Sequence, residues 1–309
     1  MRRGLLLILI LFIGVYVFAQ DDPHFESILK TAYEKASRYD LYGALNECNK
    51  VLSQDANYTN AYISRAYVNS LLEKYKDAIA DIDKAINLDA NSDAAHAMKG
   101  NIYLRKREYS KALECYNKAL NINDSSEEAI IGKINVLLLT GDLKQASSMA
   151  DEAVKNDPSS DGFYYVRGLV NNYKGKFEKA IDDFDQALGL NPTKRTFDIY
   201  LNRGGSKFSI GEFAQAIEDF NSAIEINPYN SSAFHSRGRA YYELEDYENA
   251  IADFLKSIEM DENNPVIFYN IGMAYYKSEK IRDACQYFHK SCNLEYKNAC
   301  KMIILYCSD

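Results

Sequence analysis

The sequence predicts an all-α solenoid of about eight helix pairs closed by a short terminal helix. Three observations carry this. The first is self-similarity at an offset of 34: Tyr200-Leu201-Asn202-Arg203-Gly204 corresponds to Phe234-His235-Ser236-Arg237-Gly238. The second is a pair of small-residue slots that keep the same phase along the chain. One holds Ala32, Ala66, Gly100, Ile134, Gly168, Gly204, Gly238 and Gly272, and the other, twelve residues later, holds alanine in all eight units, from Ala44 to Ala284. The third is composition. Only 15 glycines and 5 prolines occur in 309 residues, which favours helix over loop.

The N-terminus is set apart first. Met1-Arg2-Arg3 is basic, Leu5 to Phe18 is apolar apart from Gly14 and the Tyr16 hydroxyl, and Val17-Phe18-Ala19 offers small residues at its first and third positions. This is the layout of a secretory signal peptide over 1–19, cut after Ala19, and an uncleaved anchor is the alternative. The apolar run is short for a spanning helix, and no later segment is apolar for long enough to cross a membrane. The expected destination is therefore outside the cytosol, periplasmic or secreted. Cleavage would leave 34 basic against 44 acidic side chains, a net of −10, which argues against a nucleic-acid partner.

Residues 20–298 form the array, with units near 25–58, 59–92, 93–126, 127–160, 161–196, 197–230, 231–264 and 265–298. Within each unit apolar residues recur every three or four positions, so each half is an amphipathic helix. Gly or Ala lets the two helices approach closely. Tyr116, Phe184, Phe220, Phe254 and Phe288, four residues after the invariant alanine, fill the gap. Gly141, Gly175 and Gly211 fall between the paired helices, where positive φ ends the first one. Pro158, Pro192 and Pro228 stop second helices.

These repeats resemble the tetratricopeptide-repeat (TPR) family over about residues 25 to 298, which implies a right-handed superhelix. Departures are local. Ile134 replaces the small residue of the fourth unit, Ala150 stands where an aromatic is usual, and Cys48 fills that slot in the first. Two extra residues near Pro192-Thr193-Lys194-Arg195 lengthen one connection.

Residues 299–309 read as a capping helix. Cys285, Cys292, Cys300 and Cys307 are spaced seven, eight and seven apart. If Ala299 to Tyr306 folds back antiparallel, Cys292 meets Cys300 near the bend and Cys285 meets Cys307 farther out. A crossed pairing would need a different register. A zinc site would need four sulfurs about 2.3 Å from one ion, whereas residues seven apart on a helix are separated by about 10.5 Å. The segment Lys290-Ser291-Cys292-Asn293-Leu294 with Ala299-Cys300 is also similar to secreted cysteine-rich relatives of the TPR. In those a second-helix cysteine is bridged to the following helix. Cys48 and Cys115 read as buried free thiols.

No glycine-rich phosphate loop, nucleophile elbow or paired-histidine motif appears, and His24, His96, His235 and His289 are scattered. No catalytic residue, metal site or cofactor is expected. Acids such as Asp182-Asp183 and Asp219 read mostly as solvated faces of second helices. The family resemblance implies a concave binding face made by first helices. On this chain it maps to Tyr67, Asn101, Arg105, Asn135, Tyr165, Tyr173, His235, Arg239 and Tyr269. Tyr165 and Tyr269 also suit packing between units. The lysine/asparagine carboxylate clamp of some TPR domains is not visible in any two consecutive units. The expected function is an exported scaffold for protein or peptide partners. The alternative is a holdase-like co-chaperone for unfolded chains.

Overall fold

The computed structural model describes residues 22–38, 40–192 and 195–307, so the expected signal segment lies outside the described residues. Seventeen α-helices and no strand occur among them. The first eight are α1 (Pro23–Ser37), α2 (Leu41–Gln54), α3 (Thr59–Leu71), α4 (Tyr75–Leu88), α5 (Asp93–Arg105), α6 (Tyr109–Ile122), α7 (Glu127–Thr140) and α8 (Leu143–Asn156). The next eight are α9 (Asp161–Tyr173), α10 (Phe177–Gly189), α11 (Thr196–Ser209), α12 (Phe213–Ile226), α13 (Ser231–Glu243), α14 (Tyr247–Met260), α15 (Pro265–Lys277) and α16 (Ile281–Asn293). The last is α17 (Lys297–Tyr306). No helix among the described residues is long and apolar enough to cross a membrane.

Each helix packs on the next, and from α1 to α15 odd-numbered helices also touch the next odd-numbered one. The chain is therefore an α-solenoid that curves with its first helices inside. The pairs turn as the glycines indicated, with φ of 84°, 69° and 85° at Gly141, Gly175 and Gly211. The second, third, seventh and eighth units lack that glycine and use the same left-handed turn at Glu73, Arg107, Glu245 and Glu279. There the Schellman pattern outweighs the Cβ cost: the Asp246 N–H donates to the Tyr241 carbonyl and the Glu245 N–H to that of Tyr242.

The core repeats one contact. The rings of Tyr116, Phe184, Phe220, Phe254 and Phe288 are fully buried, and each lies against the glycine sixteen residues earlier. The fourth unit inverts the pair: Ile134 supplies the bulk, Ala150 the space, and both are fully buried. Such an exchange conserves volume, which is how cores tolerate substitution.

A second repeated contact corrects the sequence reading of the acids. Asp182 is exposed, but Asp183 and Asp219 are buried, as are Asp81 and Asp253. Each buried acid meets an arginine sixteen residues earlier: Arg65 to Asp81 and Arg167 to Asp183 at 2.6 Å, Arg237 to Asp253 at 2.7 Å, and Arg203 to Asp219. Each guanidinium also lies 5.4–5.6 Å from the ring centroid of Tyr62, Tyr164, Tyr200 or Phe234, three residues before it. These acids are buried because a cation is delivered to them across the helix pair, a partnership the amphipathic pattern of one helix does not reveal.

Helix α17 begins at Lys297, two residues before the expected Ala299. Glu295 takes positive φ and the Tyr296 N–H closes α16 onto the Ser291 carbonyl, so the chain can turn helical at once. The cap is held by disulfides Cys285–Cys307 and Cys292–Cys300, with Cα separations of 5.6 and 4.9 Å. Cys48 and Cys115 are buried and unpaired.

Candidate binding grooves

The inner surface carries two hollow regions. The N-terminal groove has a volume of about 560 Å³ and is walled by α1, α3 and α5. Its apolar floor is Leu29, Ile63, Ala97, Met98 and Leu104. Tyr33 and Tyr67 stack above it, 6.1 Å apart at 22°. Burial, then the neighbouring Tyr67, pushes the Tyr33 phenol up to about 12, so it stays protonated at neutral pH.

The polar groups of this groove are aimed by the core. The Tyr116 hydroxyl donates to Asn101 Oδ1 at 2.7 Å. That fixes the amide and leaves its Nδ2 hydrogens without a partner among the described residues. Arg105, one turn on, is exposed and makes no ion pair among the described residues. The groove thus presents an oriented amide donor and a free cation beside an apolar floor.

Its far side is closed by Arg195, which the sequence reading did not select. The Arg195 guanidinium is 13% exposed and bridges Glu127 at 2.9 Å and Glu128 at 3.1 Å. It also lies 3.9 Å from Asp161 Oδ2, which is buried with no hydrogen-bond partner. Asp93, Glu127, Asp161 and Arg195 succeed one another at intervals of 34. The first three open α5, α7 and α9, whereas the lengthened connection leaves Arg195 as the cap residue just before α11. The sign change in that ladder, at the two-residue insertion, was the signal available in the sequence. Tyr33 and Glu128 also line this groove and were not selected.

Of the nine expected residues, Tyr67, Asn101 and Arg105 come together in this groove. Arg239 and Tyr269 line a separate cavity near the other end. His235 packs 5.6 Å from the Phe254 ring and its Nε2 lies 2.8 Å from the Asn270 amide. Burial first, then the charge of Arg239, lowers its pKa to about 4. Tyr165 lies 6.1 Å from Phe184, and burial raises its phenol above the ordinary value. Tyr269 packs 6.0 Å from Phe288 and 5.2 Å from Tyr296. Asn135 is half-buried and Tyr173 exposed, and neither lines a groove described here. The expected face is thus two separate patches.

Family models for TPR repeats match residues 59–92, 204–244 and 238–278. Those stretches read as tetratricopeptide repeats. A model for the TT21 fifth ARM repeats domain matches residues 93–191, which include the fourth unit with its inverted Ile134/Ala150 pair. No curated protein matches the sequence. Among solved structures, one chain of the APC/C hetero-tetramer Cut9–Hcn1 is similar over 91% of this chain, at 16% identity and a TM-score of 0.73. This chain spans about half of it, 54%. A tetratricopeptide repeat protein from Parabacteroides merdae is 17% identical over 82% of this chain and 99% of its own, with a TM-score of 0.54. YrrB, a TPR protein with an unusual peptide-binding site, is 23% identical over 61% of this chain and 97% of its own, with a TM-score of 0.51. At these identities the likeness is one of fold.

Proposed function

We propose that this TPR chain is an exported scaffold that holds an extended segment of a partner polypeptide in its N-terminal groove and has no catalytic role. The observation that carries this is the fixed Asn101 amide with the unpaired Arg105 one turn away. Together they suit backbone carbonyls and a carboxylate, the acceptors an extended peptide offers. Tyr33, Tyr67 and Met98 supply apolar contact to anchor a side chain. The description of YrrB as a peptide-binding TPR protein agrees with this reading. Export rests on the Arg2-Arg3, apolar and Val17-Phe18-Ala19 pattern and on the disulfides of the cap, which persist in oxidising compartments.

Affinity capture under mild cross-linking from the native compartment tests it. A few defined partners are expected, and their yield should fall with Asn101→Ala plus Arg105→Ala. A broad set of unfolded clients, retained by the double variant, would instead support a holdase.

A further inference from the structure

We propose that the C-terminal half of the inner face is a second, separate recognition site. It takes an extended polypeptide segment in which two apolar side chains, three positions apart, flank an acidic residue. Two cavities meet there at a common wall on α13. One, of about 640 Å³, lies between α11 and α13 and has Phe208 and Phe213 in its sides. The other, of about 180 Å³, lies between α13 and α15 and is bounded by Tyr269 and Met273. Arg239 and Glu243 line both.

The charge between the cavities sets the class of ligand. Arg239 is exposed, lies 4.5 Å from the Phe208 ring centroid, and makes no ion pair among the described residues. Glu243, one turn on, is also exposed and does not bridge to it. The guanidinium lies over Phe208, a wall of the larger cavity, and is not paired with Glu243 among the described residues. A ligand acid can then pair with Arg239, provided its neighbour, which faces Glu243, is neutral or basic.

Spacing follows from helix packing. Neighbouring packed helices lie 8–10 Å apart, so the two cavities are separated by about that distance. A chain with three residues per turn and a rise of 3.1 Å presents positions i and i+3 on one side, about 9 Å apart. Gly205 lines the larger cavity, and the space beside it is open: a Cβ there would meet nothing within 4 Å. The segment therefore reads apolar, acid, neutral or basic, apolar. It shares no residue with the N-terminal groove and does not depend on it.

The test is fluorescence anisotropy of the purified full chain with a labelled, Gly-Ser-flanked peptide of core Leu-Asp-Gln-Phe. Replacing Asp by Lys, or deleting Gln, should weaken binding by about tenfold or more. Arg239→Met should do the same with an unchanged melting curve, and Glu243→Gln should retain the preference for Asp. Asn101→Ala should have no effect. Equal binding of the Asp and Lys peptides, no binding of either, or loss with Asn101→Ala instead of Arg239→Met would overturn the proposal.

Discussion

The Phe254 ring occupies the space in which Gly238 would carry a side chain: a Cβ there would lie 2.8 Å from Cδ1 and Cε1 of the ring and 3.2 Å from the Ala250 carbonyl oxygen. The ring is fully buried and the carbonyl belongs to the facing helix, so neither can yield cheaply. Gly238→Ala is expected to lower stability by about 1–3 kcal/mol despite the better helix propensity of alanine. Gly205→Ala, with nothing within 4 Å, should raise it by about 0.5–1 kcal/mol. Urea midpoints of the two variants should move in opposite directions.

The Arg203–Asp219 pair gives a second contrast. Asp219 also accepts from Lys207 at 2.9 Å, so its removal leaves Lys207 without an ion pair among the described residues and Arg203 with Asp185 alone, around a carboxylate position only 2% exposed. Asp219→Ala is expected to cost about 3 kcal/mol, as for a buried pair deprived of one partner. Asp182→Ala, on the exposed face, should cost no more than about 0.5 kcal/mol. Chemical denaturation of both checks this.

The period, the helix pairs and the aromatic-on-glycine contact were legible in the sequence because each is written as one residue type at one spacing. The Arg–Asp contact is as regular, with Arg167 and Asp183 sixteen apart, yet it was missed. A helix read alone places Asp183 beside Asp182 as surface charge, and only the partner helix reveals its burial. The groove was half legible. Asn101 and Arg105 share a face by their four-residue spacing, but Arg195 enters from a connection whose path the repeat does not encode. The left-handed turns at Glu73 and Glu245 were illegible for a related reason: the hydrogen bonds of the helix end dictate them, not the residue.

His235 makes stability depend on pH. Its pKa is about 4 in the fold against about 6.5 unfolded, so folding favours the neutral ring. The stabilisation is complete above pH 6.5 and is lost as pH falls from there through 4, up to about 3 kcal/mol. The difference in melting temperature between the wild type and His235→Gln, followed from pH 7.5 to 4, should shift in favour of the variant on acidification.

The disulfide cap should act locally. Helix α17 has ten residues, too few to be stable alone, and contacts only α16 extensively. Cys285→Ser with Cys307→Ser is expected to raise hydrogen exchange in α17 and the end of α16, at a cost of about 2–4 kcal/mol. Exchange in α1–α4 should not change, because repeats couple to their neighbours. Cys48, whose thiol burial pushes up to about 12, should resist alkylation in the native chain and react after denaturation.

The most direct measurement is cross-linking from inside the groove. A photo-reactive benzoylphenylalanine replaces Met98, a groove wall that leaves Asn101 and Arg105 intact, and in a second protein replaces Tyr42, which is 69% exposed on α2. After irradiation in the native compartment, adducts to one or a few polypeptides are expected from position 98 and none from position 42. Adducts from position 42 with none from position 98 would contradict a ligand in the N-terminal groove.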